Sequence, residues 1–181
     1  MALTQVRTGG LTTDAVDNTI LKLDDDYALT GTVTGAGAVV QVVTAKHDTA
    51  VTMTSTTAAD TGLSAAITPT SSSNKILILV AQPVWIERSG GESMNGTWSL
   101  LRGSTVLTSQ IMDIQSGLNN DSNRALGLNY VESYLDSPST TSATTYKTQQ
   151  KCGLSSASPQ VTSQRGGSGF HATITLLEIV G

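Results

Sequence analysis

Charged residues are scarce in this chain of 181 residues, where Asp, Glu, Lys and Arg together make up only 13%. Ser and Thr cover the surface in their place. Because Thr favours strands while Ser and Gly favour turns, the composition predicts an all-β fold. The formal net charge is -4, and no basic stripe exists that would displace counterions from a phosphate backbone. The sequence therefore argues against a nucleic-acid partner.

Cysteine is almost absent as well. Cys152 is the single cysteine, so it can form no internal disulfide and has no CxxC partner for a metal ion. The N-terminal residues lack the apolar segment of a signal peptide, and no window approaches the ~18 consecutive apolar residues of a membrane helix. We expect a protein that is made in the cytoplasm without membrane insertion, and that stays there or leaves without a signal, for example by lysis.

Patterns typical of catalysis are missing too. The chain contains no GxSxG, HExxH or P-loop, and neither His47 nor His171 has a nucleophile motif or metal-ligand spacing nearby. The acidic run 24–26 lacks the alternating oxygens, internal Gly and terminal Glu of a calcium loop. A pair of carboxylates that hydrolyses sugars is not excluded by the sequence, because only the folded chain shows whether two carboxylates lie close together. We expect no enzyme and no cofactor.

Residues 1–37 differ from the rest of the chain. Single apolar residues are scattered through a polar segment, and glycines at 31, 35 and 37 follow them. These residues are too few to form a core of their own, so the pattern predicts an extended arm that docks against another surface. The apolar residues that would dock are Leu3, Val6, Leu11, Val16, Ile20 and Leu21.

Residues 38–181 show short apolar alternations separated by turn residues. About eight strands in this pattern predict a β-sandwich of the jelly-roll kind. A turn is expected around Asp60-Thr61-Gly62, and Gly103-Ser104 is predicted to be the two-residue turn of a hairpin. Pro83 is expected to end a regular ladder or to force a bulge, because it has no N–H to donate.

The segment SSSNKILILV changes abruptly from polar residues to consecutive aliphatics. Successive side chains of a strand point to opposite faces, so one set of aliphatics would face the second sheet while the other meets something else. A neighbouring copy of the protein is a natural candidate, and a fully buried central strand is the other interpretation. The residues concerned are Ile76, Leu77, Ile78, Leu79 and Val80.

Aromatic residues make up 4% of the chain. They would suit a platform that stacks on sugars, but with so few available we expect most of them in the core. The five considered are Trp85, Trp98, Tyr130, Tyr134 and Tyr146.

Recognition of a variable partner is predicted in the polar, Gly-rich loops 88–96, 115–123 and 155–169, since loops on a rigid scaffold tolerate change. The candidate residues for surface recognition are Glu92, Asn95, Asn119, Asn120, Asp121, Gln164 and Arg165.

Five phrases occur in order along the chain: MALTQVRTGGLTTDAVDNTIL, TGLSAAITPTSSSNKILILV, LLRGSTVL, YLDSPSTTSATTYKTQ and ATITLLEIVG. Together they resemble small virion proteins of tailed phages that infect cyanobacteria and other aquatic bacteria, which are labelled tail-fibre or structural proteins. The resemblance covers nearly the whole chain. It implies a homotrimer in which residues 1–37 anchor the protein to the virion and residues 38–181 form the oligomerisation and surface domain.

Longer relatives of this kind repeat the TTDAV-type phrase and carry a shaft, whereas this chain has the phrase once. That difference favours a short tail or baseplate fibre protein that contacts the host surface, where a glycan is a candidate ligand. One alternative is a capsid decoration (cement) protein whose arm binds neighbouring major capsid proteins. The others are a free carbohydrate-binding module and a hydrolase of surface polysaccharide. The expected location is the virion, assembled in the host cytoplasm.

Overall fold

The computed structural model describes residues 37–89, 94–114, 123–153, 159–165 and 169–181. Residues 1–36 of the predicted arm lie outside the described residues, and with them the six apolar residues expected to anchor it. The division of the chain into an arm and a surface domain stays a prediction.

The described residues form ten β-strands and no helix. The strands are β1 (Val39–His47), β2 (Val51–Met53), β3 (Ala59–Ile67), β4 (Lys75–Ser89), β5 (Met94–Arg102), β6 (Thr105–Ile114), β7 (Asn123–Asp136), β8 (Thr144–Cys152), β9 (Gln160–Ser163) and β10 (Ala172–Ile179). The all-β prediction is confirmed. The strands follow the Thr- and Val-rich alternating segments, as β-propensity predicts.

Two antiparallel sheets face each other. In the six-stranded sheet, β7 pairs with one edge of β4 along nearly all of its length. The opposite edge of β4 is shared by β10, which leads to β1, and by β9, which leads to β2. The four-stranded sheet has the order β3-β8-β5-β6. Because successive strands such as β3, β4 and β5 cross between the two sheets, the fold is a jelly-roll-like sandwich.

The core lies between the sheets and is built by every second residue of the strands. Ile76, Ile78 and Val80 of β4 are buried there, as are Ile174 and Leu176 of β10. Burying such a side chain contributes about 1.5–3 kcal/mol relative to leaving it in water. The largest fully buried side chains in the core are aromatic, namely Trp98, Tyr130 and Tyr146.

Pro83 lies at a gap between two neighbouring strands. On its edge of β4, the pairing with β10 ends at Ala81 and the pairing with β9 begins at Val84. The Pro83 carbonyl accepts a hydrogen bond from the Gln164 backbone N–H at 3.0 Å. Since the N–H and C=O of a strand residue point to the same side, the missing N–H of Pro83 falls in this gap. The ladder to β7 is uninterrupted, so the predicted break occurs on one edge only.

The turn expected at Asp60-Thr61-Gly62 is wrong, because all three residues lie inside β3. The pairing with β8 shifts register between Asp60 and Ser64, and Gly62 has a φ of 86°. A glycine with positive φ marks a β-bulge as readily as a turn. The Gly62 backbone here approaches the imidazole ring of His47 in β1.

Gly103 and Ser104 connect β5 to β6, so the predicted hairpin is confirmed. Arg102 and Thr105 are cross-strand partners at its end, and Gly103 has a φ of 58°. Glycine with positive φ at the first central position is what a tight two-residue hairpin turn requires.

The polar segment before β4 is held by a buried carboxylate. Glu178 of β10 is fully buried, and its Oε1 accepts hydrogen bonds from the Thr70 N–H at 2.6 Å and from Asn74 Nδ2 at 2.7 Å. Burial alone would raise the pKa of this carboxyl, but the bonds from Asn74 and Thr70 outweigh burial and lower the pKa below its usual value. The polar run thus anchors the start of the aliphatic strand.

Candidate functional site

The outer face of the six-stranded sheet carries a continuous apolar row. Val42 of β1 is paired with Leu177 of β10, Leu177 with Leu77 of β4, and Leu77 with Leu135 of β7. Directly opposed residues on one face of a sheet are in side-chain contact. Four strands therefore present one aliphatic side chain each, in register, on the side that faces away from the core.

Two exposed aliphatic residues extend this row. Leu79 of β4 lies between Ile78 and Val80, which point into the core, so Leu79 points to the outer face. Val131 of β7 points to the same face, because its cross-strand partner is Ala81, two residues after Leu79. The exposures of Leu79 and Val131 are 41% and 59%. We call the set the outer apolar patch, and it consists of Val42, Leu77, Leu79, Val131, Leu135 and Leu177.

For the described residues, the structure shows which residues of the aliphatic strand face the core, while the contact with a neighbouring copy stays a prediction. Ile76 and Ile78 are fully buried and Val80 is 2% exposed, whereas Leu77 and Leu79 lie on the outer face, and no other described element covers them. The even-numbered residues of this segment thus belong to the core, and the odd-numbered residues are candidates for contact with a partner.

A cavity lies further along the same outer face, beside Trp85 of β4. Its volume is about 330 Å³, and it is lined by Pro83, Val84, Trp85, Gly127, Leu128, Asn129, Arg165 and Phe170. The lining combines two aromatic rings with an amide and a guanidinium group. Small-molecule sites are typically concave and mostly apolar with a few polar groups, and they have volumes of about 300–1,000 Å³.

The indole ring of Trp85 is fixed by contacts on several sides. Gly127 is its cross-strand partner, and a Cβ atom at that position would clash with the ring. Trp85 Nε1 donates a hydrogen bond to Glu87 Oε1 at 2.7 Å. The guanidinium of Arg165 lies 4.1 Å from the ring centroid, and Arg165 Nη2 is 3.3 Å from Glu87 Oε1. The three side chains thus hold one another in place.

The residues predicted to recognise a partner lie in different environments. Arg165 lies at the cavity. Gln164 is fully buried, so its prediction as a surface residue is wrong. It directly follows β9 and has a φ of 51°. Its backbone N–H donates a hydrogen bond to the Pro83 carbonyl. Asn95 belongs to β5 rather than to a loop, and its carbonyl accepts a bond from the Gly153 N–H at 2.8 Å. The remaining candidates, Glu92, Asn119, Asn120 and Asp121, lie outside the described residues.

The expectation that most aromatics are in the core holds for Trp98, Tyr130 and Tyr146, which are fully buried. It fails for Trp85, which lies on the outer face. The sequence contains a signal for this, because Trp85 is an odd number of residues from Ile76, Ile78 and Val80 and an even number from Leu77 and Leu79. Alternation along the strand therefore places Trp85 on the face of the two leucines. Phe170 lies before β10 begins and is 49% exposed.

Asp136, Tyr146 and Cys152 are buried groups away from the cavity. Asp136 receives a hydrogen bond from the Tyr146 hydroxyl at 2.6 Å and an ion pair from Arg102 at 2.8 Å. Burial, followed by the bond to Asp136, raises the pKa of the Tyr146 hydroxyl far above its usual value. Burial also raises the pKa of the Cys152 thiol, which keeps it protonated and poorly nucleophilic.

Metal-ligand clusters and membrane helices are absent from the part of the chain that the structure describes. No three His, Cys, Asp or Glu side chains come together there as a metal site would require. That part of the chain also contains no helix with the length and apolar character needed to cross a membrane.

No family model matches the chain, and no curated protein matches it. Solved structures of VP2 of infectious bursal disease virus are similar in part. The VP2 subviral particle gives a TM-score of 0.30 at 16% identity, over 78% of this chain and 38% of that chain. Particles of a mutant VP2 give 0.32 at 14% identity, over 87% of this chain and 41% of that chain.

This chain therefore spans about two fifths of the length of those VP2 chains. Because the TM-scores are below 0.5, the likeness supports no conclusion about the fold or the function of this protein. The jelly-roll assignment rests on the strand order given above.

Proposed function

We propose that this chain is a structural component of a bacteriophage virion, a short tail or baseplate fibre protein whose β domain forms a homotrimer and contacts the host surface. The order of its five phrases, which resemble small phage virion proteins, supports the phage assignment. The observation that carries the proposal is the outer apolar patch. Jelly rolls are used by viral capsid proteins and by lectins alike, so the fold alone does not select the function.

The outer apolar patch favours a second copy of this chain as its partner. Leu135 is 50% and Val42 is 58% exposed, and large contiguous apolar surfaces on a soluble protein mark interaction sites. A sandwich has one internal interface, and the second face of its larger sheet has no helix layer among the described residues. Closure around a symmetry axis hides such faces on every copy at once.

The edge strand β7 gives a second reason for self-association. It has 14 residues and pairs, among the described strands, with β4 alone. Long edge strands attract other chains unless they are covered. Val131 and Leu135 belong to β7 as well as to the outer apolar patch, so one interface would protect both.

Quantitative mass spectrometry of purified particles of the phage that encodes the chain tests the proposal. A fibre protein is expected at tens of copies per particle, in a multiple of three. Hundreds of copies would instead indicate the capsid decoration protein, in which the arm binds major capsid proteins. Absence from washed, intact particles would overturn the virion role.

A further inference from the structure

We infer that the cavity beside Trp85 is a binding site for one ring of a neutral sugar. This inference deepens the proposed function by giving the surface domain a ligand class, and it rests on that function only for the source of the ligand, a glycan on the host surface. Binding itself is a property of the described β domain.

The cavity exists because one strand position lacks a side chain. Gly127 of β7 stands opposite Trp85 of β4, and any larger residue there would collide with the indole ring. Glu87 holds the indole N–H from one side, at 2.7 Å. The ring is therefore seated in one orientation before any ligand arrives, which reduces the ordering cost of binding.

The cavity is lined by both kinds of group that a sugar ring can contact, an aromatic ring and polar side chains. A pyranose has an apolar C–H face and a rim of hydroxyl groups. Phe170 lines the cavity with a ring that is 49% exposed, so a C–H face can pack against it. Asn129 and Arg165 line the same cavity, and their amide and guanidinium groups supply donors and an acceptor for the hydroxyls.

The charges at the cavity favour a neutral ligand over an anionic one. Among the described residues that line the cavity, Arg165 is the one that is cationic, and its guanidinium is already paired with Glu87 at 3.3 Å and stacked on Trp85. A phosphate or uronate would have to compete with this carboxylate for the same donors. A hydroxyl can accept a bond from the guanidinium without displacing Glu87.

The two tryptophans of the chain make a direct test possible. In a ¹⁵N-labelled sample each indole N–H gives its own NMR signal. Trp98 is fully buried and donates to Ser163 Oγ, so its signal serves as an internal reference. We would titrate the full chain with methyl glycosides of D-glucose, D-galactose, D-mannose and N-acetyl-D-glucosamine. At least one is expected to shift the Trp85 signal saturably while the Trp98 signal stays in place.

Variants locate the effect. Phe170→Ala and Arg165→Gln are each expected to weaken the binding by about tenfold or more, the equivalent of losing about 1.4 kcal/mol. Gly127→Ala should abolish it by displacing the indole ring. Val106→Ala is the matched control, because Val106 is an exposed aliphatic residue of β6 in the other sheet. It should bind the sugar as the unchanged protein does.

Several results would overturn the inference. No saturable Trp85 shift with any of the four glycosides would do so, as would a shift that Phe170→Ala leaves unchanged. Binding of glucuronate or inorganic phosphate where the neutral glycosides fail would show an anion site. Dissociation of the oligomer by Phe170→Ala without loss of sugar binding would show a protein interface. The oligomeric state is measured separately, so a sugar-binding monomer would leave this inference standing and refute the trimer.

Discussion

Leu77 of β4 and Leu135 of β7 are direct cross-strand partners on the outer face of the six-stranded sheet. Leu177 and Val42 continue the same row across β10 and β1. In an antiparallel sheet with one face in water, the side chains on that face are normally polar. We therefore expect a partner copy to cover the aliphatic row on this face in the proposed oligomer.

Substituting two neighbouring residues of β4 separates folding from association. Ile78→Asp should unfold the domain, because a carboxylate at a fully buried core position has no partner there. Leu79→Asp should leave the domain folded and dissociate the oligomer, because Leu79 lies in the outer apolar patch. Circular dichroism measures the first effect and analytical ultracentrifugation the second.

Ile111→Asp is the control for this pair. Ile111 is 69% exposed on β6 of the other sheet, so its replacement should change neither folding nor association. If Leu79→Asp left the association state of the protein unchanged, the outer apolar patch would not be the interface.

A buried chain of hydrogen bonds links the two sheets. Trp98 Nε1 donates to Ser163 Oγ at 3.0 Å, and Ser163 Oγ donates to Gln150 Oε1 at 2.6 Å. Ser163→Ala leaves both partners unsatisfied in the core, and we expect a loss of about 1–3 kcal/mol in the free energy of unfolding. Urea denaturation followed by Trp fluorescence measures it.

Ser99→Ala provides the matched control, since the Ser99 hydroxyl bonds to that of Ser109 in an exposed position. Its effect should stay within about 0.5 kcal/mol. Equal effects of the two substitutions would mean that the buried chain contributes no more than a surface bond.

Acid should destabilise the domain through Glu178. Its folded-state pKa is lowered by the hydrogen bonds from Asn74 and Thr70, which outweigh burial. The resulting stability is fully present above the ordinary pKa of 4.5 and is lost as the pH falls through the lower folded value. We expect the Tm to drop between about pH 5 and pH 3, and Glu178→Gln to have a shallower drop from a lower starting Tm.

Asp60 must be separated from this effect. Its pKa is also lowered, because the hydrogen bonds from Lys147 and Gln149 outweigh partial burial. Its side chain is 52% exposed, so Asp60→Asn should remove only a small part of the acid dependence. A slope unchanged in Glu178→Gln but abolished in Asp60→Asn would contradict the role assigned to Glu178.

Gly62→Ala should cost more stability than Gly103→Ala. Both glycines have positive φ, at 86° and 58°, and a left-handed conformation costs a residue with a Cβ about 1–2 kcal/mol. At Gly62 the added Cβ would also collide with the His47 ring, whereas at Gly103 it would meet nothing within 4 Å. Thermal unfolding of the two variants gives the comparison, and equal losses would exclude a contribution from His47.

Much of the fold was predictable because strand alternation and turn chemistry are local properties. The hairpin at Gly103-Ser104 follows from two residues, and the buried face of β4 follows from parity alone. The turn expected at Gly62 is instead a bulge, because a bulge and a turn both use a glycine with positive φ and differ only in which strands pair around it. That pairing is a long-range property, set by β8.

The candidate sites were less predictable for the same reason. Composition assigned Trp85 to the core together with Trp98, although the two differ in the face on which their strands place them. The cavity needs Gly127, Arg165 and Phe170 from three separate parts of the chain, and no local pattern brings these together. A position in a polar segment does not distinguish Arg165, which lies at the cavity, from Gln164, which is buried.

Sedimentation of the unmodified full chain decides whether the outer apolar patch is an interface between copies. We expect a single species at three times the chain mass of 18.7 kDa, which persists on dilution because the outer apolar patch is covered in every copy. A stable monomer at all concentrations would contradict it, since the aliphatic row through Leu77 and Leu135 would then face water without a partner copy.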